Sequence, residues 1–243
     1  MSRIALVSAM HEELAAVLSR MPDERKVVVA GRDFWLGHWH GHEVVAVLSR
    51  IGKVAAATTT TVLIERFGVS RLVFTGVAGG LAPQVRVGDV VVADGFMQHD
   101  MDARPLFPLH QIPFEGFSVI EADTDLRHLL SDAARVMLAT KRPPGLEHAT
   151  LFEGLVVSGD QFLSSNEARE RVLESLPKAS CVDMESAAVA QVCRAADIPL
   201  GVMRVISDSA DGSAHIDFAK FVEFSASKAC AETVRYALRA MAH

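Results

Sequence analysis

The sequence contains few cysteines, with only three among 243 residues. Cys181, Cys193 and Cys230 do not have the spacing of a metal-binding motif, and an odd number cannot form a complete disulfide framework. A small, odd set of cysteines is typical of reduced thiols in the cytoplasm. We therefore expect a cytoplasmic protein that binds no metal through its cysteines.

Two further absences limit the partners. Lys and Arg number 24 against 30 Asp and Glu, and they form no basic cluster that could follow a phosphate backbone. No run of about 18 apolar residues could span a membrane, and the first residues do not resemble a signal peptide. We therefore expect neither nucleic acid nor a membrane as a partner.

Hydrophobic residues make up half of the chain, and the mean hydropathy is +0.24. This composition can bury a large core, and 243 residues lie within the range of single α/β domains. The sequence contains no repeat, low-complexity segment or linker. One domain over residues 1–243 is therefore expected.

Short apolar segments alternate with helical patterns along the chain. The predicted strands are residues 4–8, 33–38, 43–48, 71–75, 87–93, 155–158 and 200–206. The predicted helices are residues 12–20, 54–67, 125–139, 166–176, 187–196 and 218–241. Residues 98–116 carry three prolines and are predicted to form a long loop. This alternation predicts an α/β fold with a largely parallel sheet covered by helices on both faces.

Four polar or glycine-rich clusters resemble strand ends, where α/β sheets bind ligands. These clusters are residues 8–13, 75–80, 182–185 and 204–211. Each cluster alone has an ordinary structural explanation. Acidic residues favour helix starts, an Asp after a strand often caps a helix, and the glycines lack both the dinucleotide-binding and the P-loop pattern. Glu185 is less ordinary, because a carboxylate among apolar neighbours needs a partner such as Arg204.

Taken in order, the clusters resemble the 5'-methylthioadenosine/S-adenosylhomocysteine nucleosidases, members of the purine nucleoside phosphorylase-like family. The matching segments are Ala9-Met10-His11-Glu12-Glu13, residues 51–56, residues 75–81, residues 87–91, Ser158-Gly159-Asp160-Gln161-Phe162, residues 182–185 and residues 206–211. The resemblance implies a twisted, mostly parallel or mixed central sheet flanked by helices. It also implies a homodimer, a small-molecule nucleoside substrate and no cofactor.

By this resemblance, two carboxylates carry out N-glycosidic hydrolysis. Asp208 would protonate N7 of the departing adenine, and Glu13 would hold and deprotonate the attacking water. Glu12 competes with Glu13 for this role, but the register of the motif favours Glu13. Glu185 would bind the ribose hydroxyls, with Arg204 as its ionic partner.

The remaining expected contacts surround the nucleoside. Phe162 would stack on adenine while Gln161 and Leu163 read its edge, and Ser207 would orient Asp208. Apolar walls and the glycine-rich turn would complete the site through Met10, Ile51, Met184, Phe218, Val77, Ala78 and Gly79. Phe107, in the loop after residue 98, would reach the 5' substituent bound by the partner subunit.

The sequence departs from the family pattern at two positions. Val77 stands where these nucleosidases commonly have Ser, and Arg50 stands where a smaller residue is commoner. A valine side chain cannot form a hydrogen bond to phosphate, which disfavours a nucleoside phosphorylase. A nucleosidase for futalosine, inosine or 5'-deoxyadenosine would also fit the pattern. A nucleoside-binding protein without activity is a further alternative, but it would be expected to lack a carboxylate, and Glu13, Glu185 and Asp208 are all present.

Overall fold

A computed structural model describes residues 3–210 and 221–242 of the chain. Phe218 and the end of the predicted catalytic loop lie outside the described residues. None of the helices within the described ranges is long and apolar enough to cross a membrane.

Strands and helices alternate along the described chain, and the expected α/β fold is confirmed. The strands are β1 Arg3–Ser8, β2 Arg25–Val29, β3 Arg32–Trp39, β4 His42–Leu48, β5 Val69–Gly80, β6 Val90–Gln98, β7 Ile120–Glu121, β8 Leu151–Ser158, β9 Ala179–Asp183 and β10 Leu200–Asp208. The α-helices are α1 His11–Leu18, α2 Lys53–Phe67, α3 Thr124–Thr140, α4 Asn166–Ser175, α5 Ser186–Ala195 and α6 Ser227–Met241, with a π-helical turn at Val222–Ala226 before α6.

The strands form one mixed sheet that is partly closed. Strands β5, β10, β6, β8 and β9 pair in a ring, because β9 pairs again with β5. Strands β1, β4, β3 and β2 extend the sheet from β5. Half of the described pairings are antiparallel, so the expectation of a largely parallel sheet is corrected to a mixed one. Short turns cause part of this, since the two-residue turns at residues 30–31 and 40–41 have positive φ and join antiparallel neighbours.

The core lies on both faces of this sheet. Along β1, Ala5 and Val7 pack into one apolar cluster while Ile4 and Leu6 pack into another. Alternate residues of a strand point to opposite faces, so both faces are covered. Burial on both faces explains why the strands are apolar throughout.

Some local predictions differ from the structure. The glycine-rich segment after residue 75 is not a turn, because β5 continues to Gly80 and pairs there with β9 and β10. The apolar pattern does not predict strands β2 and β9, since β2 is largely exposed and β9 is short. Ser165 caps the start of helix α4, because its hydroxyl accepts the Ala168 N–H at 3.2 Å. Gly68, with φ 59°, caps the end of α2.

Candidate active site

A cavity of about 620 Å³ lies beyond the carboxyl ends of β5, β9 and β10 and beside the loop after β1. We call it the strand-end cavity. Most of the residues predicted for the site line it: Met10, Ile51, Val77, Ala78, Gly79, Gln161, Phe162, Leu163, Met184, Glu185, Ser207 and Asp208. Four further residues of the clusters found in the sequence, to which no individual role was assigned, also line it: Ala9, Val182, Asp183 and Ala210.

The other predicted residues occupy different places. Glu13 and Arg204 are completely buried and lie behind the wall of the cavity. Phe107 does not line the cavity of its own chain, and its ring packs edge-on against Phe114 at 5.1 Å. Phe218 lies outside the described residues.

Arg204 is the buried cation of the site, and its ionic partner differs from the expected one. Its Nε donates to Oδ2 of Asp183 at 2.8 Å, and its Nη2 donates to the Ser186 hydroxyl at 2.9 Å. The expected pairing with Glu185 is therefore wrong. Strand geometry explains the difference, because Asp183 ends β9 inside the sheet whereas Glu185 lies beyond it at the start of α5.

Asp183 is held by donors from several elements. Its Oδ1 accepts the Ser158 hydroxyl at 2.5 Å and the backbone N–H groups of Glu185 and Ser186 at 3.2 and 3.1 Å. Its Oδ2 accepts the Ser186 hydroxyl besides Arg204. An Asp side chain often accepts the N–H groups of residues two and three positions later, where a helix begins. That pattern could have identified Asp183 from the sequence.

Glu185 joins two loops at the edge of the cavity. One carboxylate oxygen accepts the Gly52 N–H at 2.8 Å, and the other accepts the Met184 N–H at 3.3 Å. Gly52 has φ 96°, which suits glycine and aims its N–H at Glu185. Burial, and next the negative charge of Asp183, raise the pKa of Glu185. Its charge is therefore costly in the free protein and is stabilised by any positive charge in the cavity.

Glu13 lies in the first turn of α1. One of its oxygens accepts the N–H groups of Ala9 and Met10, each at 3.0 Å, and the other has no hydrogen-bond partner among the described residues. Burial raises the pKa of Glu13 to about 7, although these N–H groups and Arg204 oppose the change. Its neighbour Glu12 is exposed and does not line the strand-end cavity.

Gly76 allows Glu13 and Arg204 to approach β5. A Cβ at Gly76 would overlap Nη1 of Arg204 and would lie 3.2 Å from Oε1 of Glu13. The side chains of Glu13 and Arg204 therefore both occupy the space beside Gly76 that a larger residue would fill. Arg204 also covers the Phe74 ring, with Cζ 4.0 Å from the centroid.

Asp208 ends β10 and faces the cavity. Its Oδ2 accepts the Ser207 hydroxyl and its Oδ1 accepts the Ala210 N–H, both at 2.8 Å. A Cβ at residue 79 would lie 3.0 Å from Oδ1, so Gly79 lets β5 pass close to this carboxylate. Many of the other lining residues are apolar, and Phe162 among them is 49% exposed.

This arrangement is suited to a neutral, aromatic ligand that becomes positively charged during reaction. Carboxylates of Asp183, Glu185 and Asp208 line the cavity, whereas none of its described lining residues is Lys or Arg. An anion such as phosphate would meet like charges there. No group of three metal-binding side chains occurs within residues 3–210 and 221–242.

Comparison with known proteins identifies the class to which this fold and cavity correspond. Residues 3–239 match the phosphorylase superfamily, and the chain belongs to that family. The resemblance to nucleosidases seen in the sequence is confirmed by individual relatives.

One relative is a 5'-methylthioadenosine/S-adenosylhomocysteine nucleosidase of Geobacillus thermodenitrificans, 35% identical over 96% of this chain and 94% of the relative. Another is an aminodeoxyfutalosine nucleosidase of Helicobacter pylori, 37% identical over 93% and 94% of the two chains. A similar structure is the Neisseria meningitidis 5'-methylthioadenosine/S-adenosylhomocysteine nucleosidase with methylthio-immucillin-A. It has a TM-score of 0.90 and 31% identity, covering 99% of this chain and all of the other.

The buried position of Glu13 predicts a pH-dependent effect on stability. Its pKa is about 7 in the folded protein and 4.5 ordinarily. The preference for the protonated form stabilises the fold fully below pH 4.5, and this contribution of about 3 kcal/mol is lost as pH rises through 7. In Glu13→Gln, the amide oxygen can accept the same two N–H bonds without titrating. The melting temperature of the variant minus that of wild type should therefore be larger at pH 8 than at pH 5.

Circular dichroism melting curves at the two pH values measure this difference. Glu12→Gln is the matched control, because that side chain is exposed and its replacement should change the melting temperature little. A difference between Glu13→Gln and wild type that is the same at both pH values would contradict the assignment.

Proposed function

We propose that this protein hydrolyses the N-glycosidic bond of 5'-methylthioadenosine and S-adenosylhomocysteine, releasing adenine and the 5'-thio-substituted ribose. The observation that carries the proposal is the strand-end cavity, which combines Asp208 and Glu185 with apolar walls and has no described basic lining residue. The nucleosidase relatives support the same reaction.

In this proposal, Asp208 is the acid for the leaving base. Adenine departs poorly as an anion, so a proton must reach N7 as the bond breaks. Ser207 and the Ala210 N–H hold the two carboxylate oxygens in place. Phe162 stacks on the base, and the backbone around Gln161 and Leu163 reads its edge.

The ribose and the water are assigned to the other carboxylates. Glu185 binds the ribose hydroxyls, and its charge favours the oxocarbenium-like transition state. Glu13 is the base for the water, since its unpartnered oxygen is available and its pKa of about 7 suits proton transfer near neutral pH. Arg204 acts as a positioning residue through Asp183 and Ser186.

Aminodeoxyfutalosine hydrolysis is the second candidate. The observation that favours it is the 37% identity to the Helicobacter pylori aminodeoxyfutalosine nucleosidase over most of both chains. The two candidates share the cavity chemistry and differ in the 5' substituent.

Asp208→Asn tests the proposed acid. The variant should lose nearly all adenine release, at least tenfold and up to about 10⁴-fold, because a positioned acid typically contributes that much. Adenine release is measured by chromatography, and binding of a substrate analogue by calorimetry should remain detectable. Asp125→Asn, at an exposed position in the first turn of α3, is the control. Turnover that falls less than tenfold would refute the role.

We also propose a cytoplasmic homodimer in which each chain forms one domain. The three cysteines are buried and free, in keeping with a reducing compartment. The loop over residues 99–113 and the residue that follows it carry apolar side chains, of which Leu106 is 83% and Phe114 is 94% exposed. Such a patch usually marks a contact surface. Ile112 does not contribute, contrary to expectation, because it is 3% exposed and packs into the core.

Phe107→Ala tests whether this loop completes the partner's site. If Phe107 touches the 5' substituent across the interface, kcat/KM for methylthioadenosine should fall more than for adenosine. The expected cost is about 1–3 kcal/mol, the contribution of one buried apolar side chain. Val87→Ala, at another exposed apolar position, is the control. A monomer by light scattering at micromolar concentration, or equal losses for both substrates, would count against the proposal.

A further inference from the structure

A second cleft opens beside the strand-end cavity. We call it the arginine cleft, because Arg32 and Arg50 line it. Ala9, Met10 and Ile51 belong to the walls of both spaces. A substituent that leaves the cavity past Met10 and Ile51 therefore enters the cleft.

The two guanidinium groups meet at one turn. Arg32 Nη1 donates to the carbonyl oxygen of Ala30 at 3.0 Å, and Arg50 Nη2 donates to that of Gly31 at 2.5 Å. Ala30 and Gly31 form the turn between β2 and β3. These bonds fix both cations at the cleft while leaving most of their N–H donors unused, since each guanidinium has five.

Neither arginine forms an ion pair with an acidic residue in the described parts of the chain. Asp33, in the same cleft, pairs with Lys26 at 3.2 Å. Nε of Arg32 is buried without a partner among the described residues, and burial and then the charge of Arg50 lower the pKa of Arg32. Two adjacent cations that form no ion pair repel each other, and a bound anion would relieve that repulsion.

We propose that the arginine cleft binds a carboxylate at the end of the nucleoside's 5' substituent through Arg50 and Arg32. The inference rests on the proposed function and on Met10 and Ile51, the apolar wall residues along which the 5' substituent would pass because they line both spaces. Planar guanidinium groups match carboxylates by paired, charge-assisted hydrogen bonds. Glu12 also lines the cleft, so an ammonium group on the same tail finds a carboxylate there. The favoured substrates are thus 5'-thioadenosines with an anionic or amino-acid tail.

Four substrates that differ only in the 5' tail test this subsite. They are methylthioadenosine, S-adenosylhomocysteine, the 5'-(3-carboxypropyl)thio analogue and its carboxamide. Arg50→Gln should lower kcat/KM for adenine release at least about tenfold for the two carboxylates, because it removes a hydrogen bond to a charged group. It should lower kcat/KM less than about twofold for the two neutral tails, which offer the guanidinium no charge.

Two controls accompany this comparison. Arg25→Gln removes an exposed arginine of β2 that does not line the arginine cleft, and it should leave all four values unchanged. In wild type, added NaCl should reduce kcat/KM for the carboxylates only, and Arg50→Gln should weaken that dependence, because Arg32 then remains as the only cation of the pair.

The outcomes separate the subsite from the reaction. Equal losses for all four substrates, or no loss for the carboxylates, would overturn the subsite while leaving hydrolysis intact. A loss limited to adenosylhomocysteine would also overturn it, because the amino group would then be the recognised feature. Failure of the wild type to release adenine from methylthioadenosine would instead refute the proposed function, and the subsite with it.

Discussion

Arg204 and Asp183 form an ion pair whose side chains are only 1% and 2% exposed, and the site is organised around it. A buried charge costs several kcal/mol unless it is paired and hydrogen-bonded. Here Asp183 accepts bonds from β8, β10 and the start of α5, so the pair joins these elements beneath the cavity. Removing one partner would leave the other charge buried and alone, at a cost of about 3–5 kcal/mol.

Because Arg204 pairs with Asp183, it forms no ion pair with the other two carboxylates near it, Glu13 and Glu185. Glu13 and Glu185 lie close enough to feel Arg204, yet burial outweighs its attraction and both pKa values are raised. The cavity therefore holds carboxylates whose charge is poorly compensated in the free protein. Positive charge that develops on a ribose would be stabilised there, whereas a phosphate anion would meet a wall without a described cation.

Sequence reasoning predicted the α/β class, and the rule that parallel strands bring their carboxyl ends to one edge led to the positions of Ser207 and Asp208. Most other cavity residues, such as Phe162, Met10 and Ile51, were expected only because of the resemblance to the nucleosidases. The partner of Arg204 did not follow, since the choice between Asp183 and Glu185 depends on where β9 ends. The extension of β5 through Gly76–Gly80 was also missed, because isolated glycines favour turns and only pairing with β9 and β10 keeps them in a strand. The arginine cleft depends on a contact between two turns far apart in sequence, which no local pattern reveals.

The central claim is that pairing of Arg204 with Asp183 leaves a cavity in which water, and not phosphate, attacks the ribose. The most direct measurement is the identity of the sugar formed from methylthioadenosine, with and without added phosphate and with EDTA present. The account predicts adenine and free methylthioribose at the same rate in every condition. A strict requirement for phosphate with formation of a sugar 1-phosphate, or a loss in EDTA that a divalent metal restores, would contradict it.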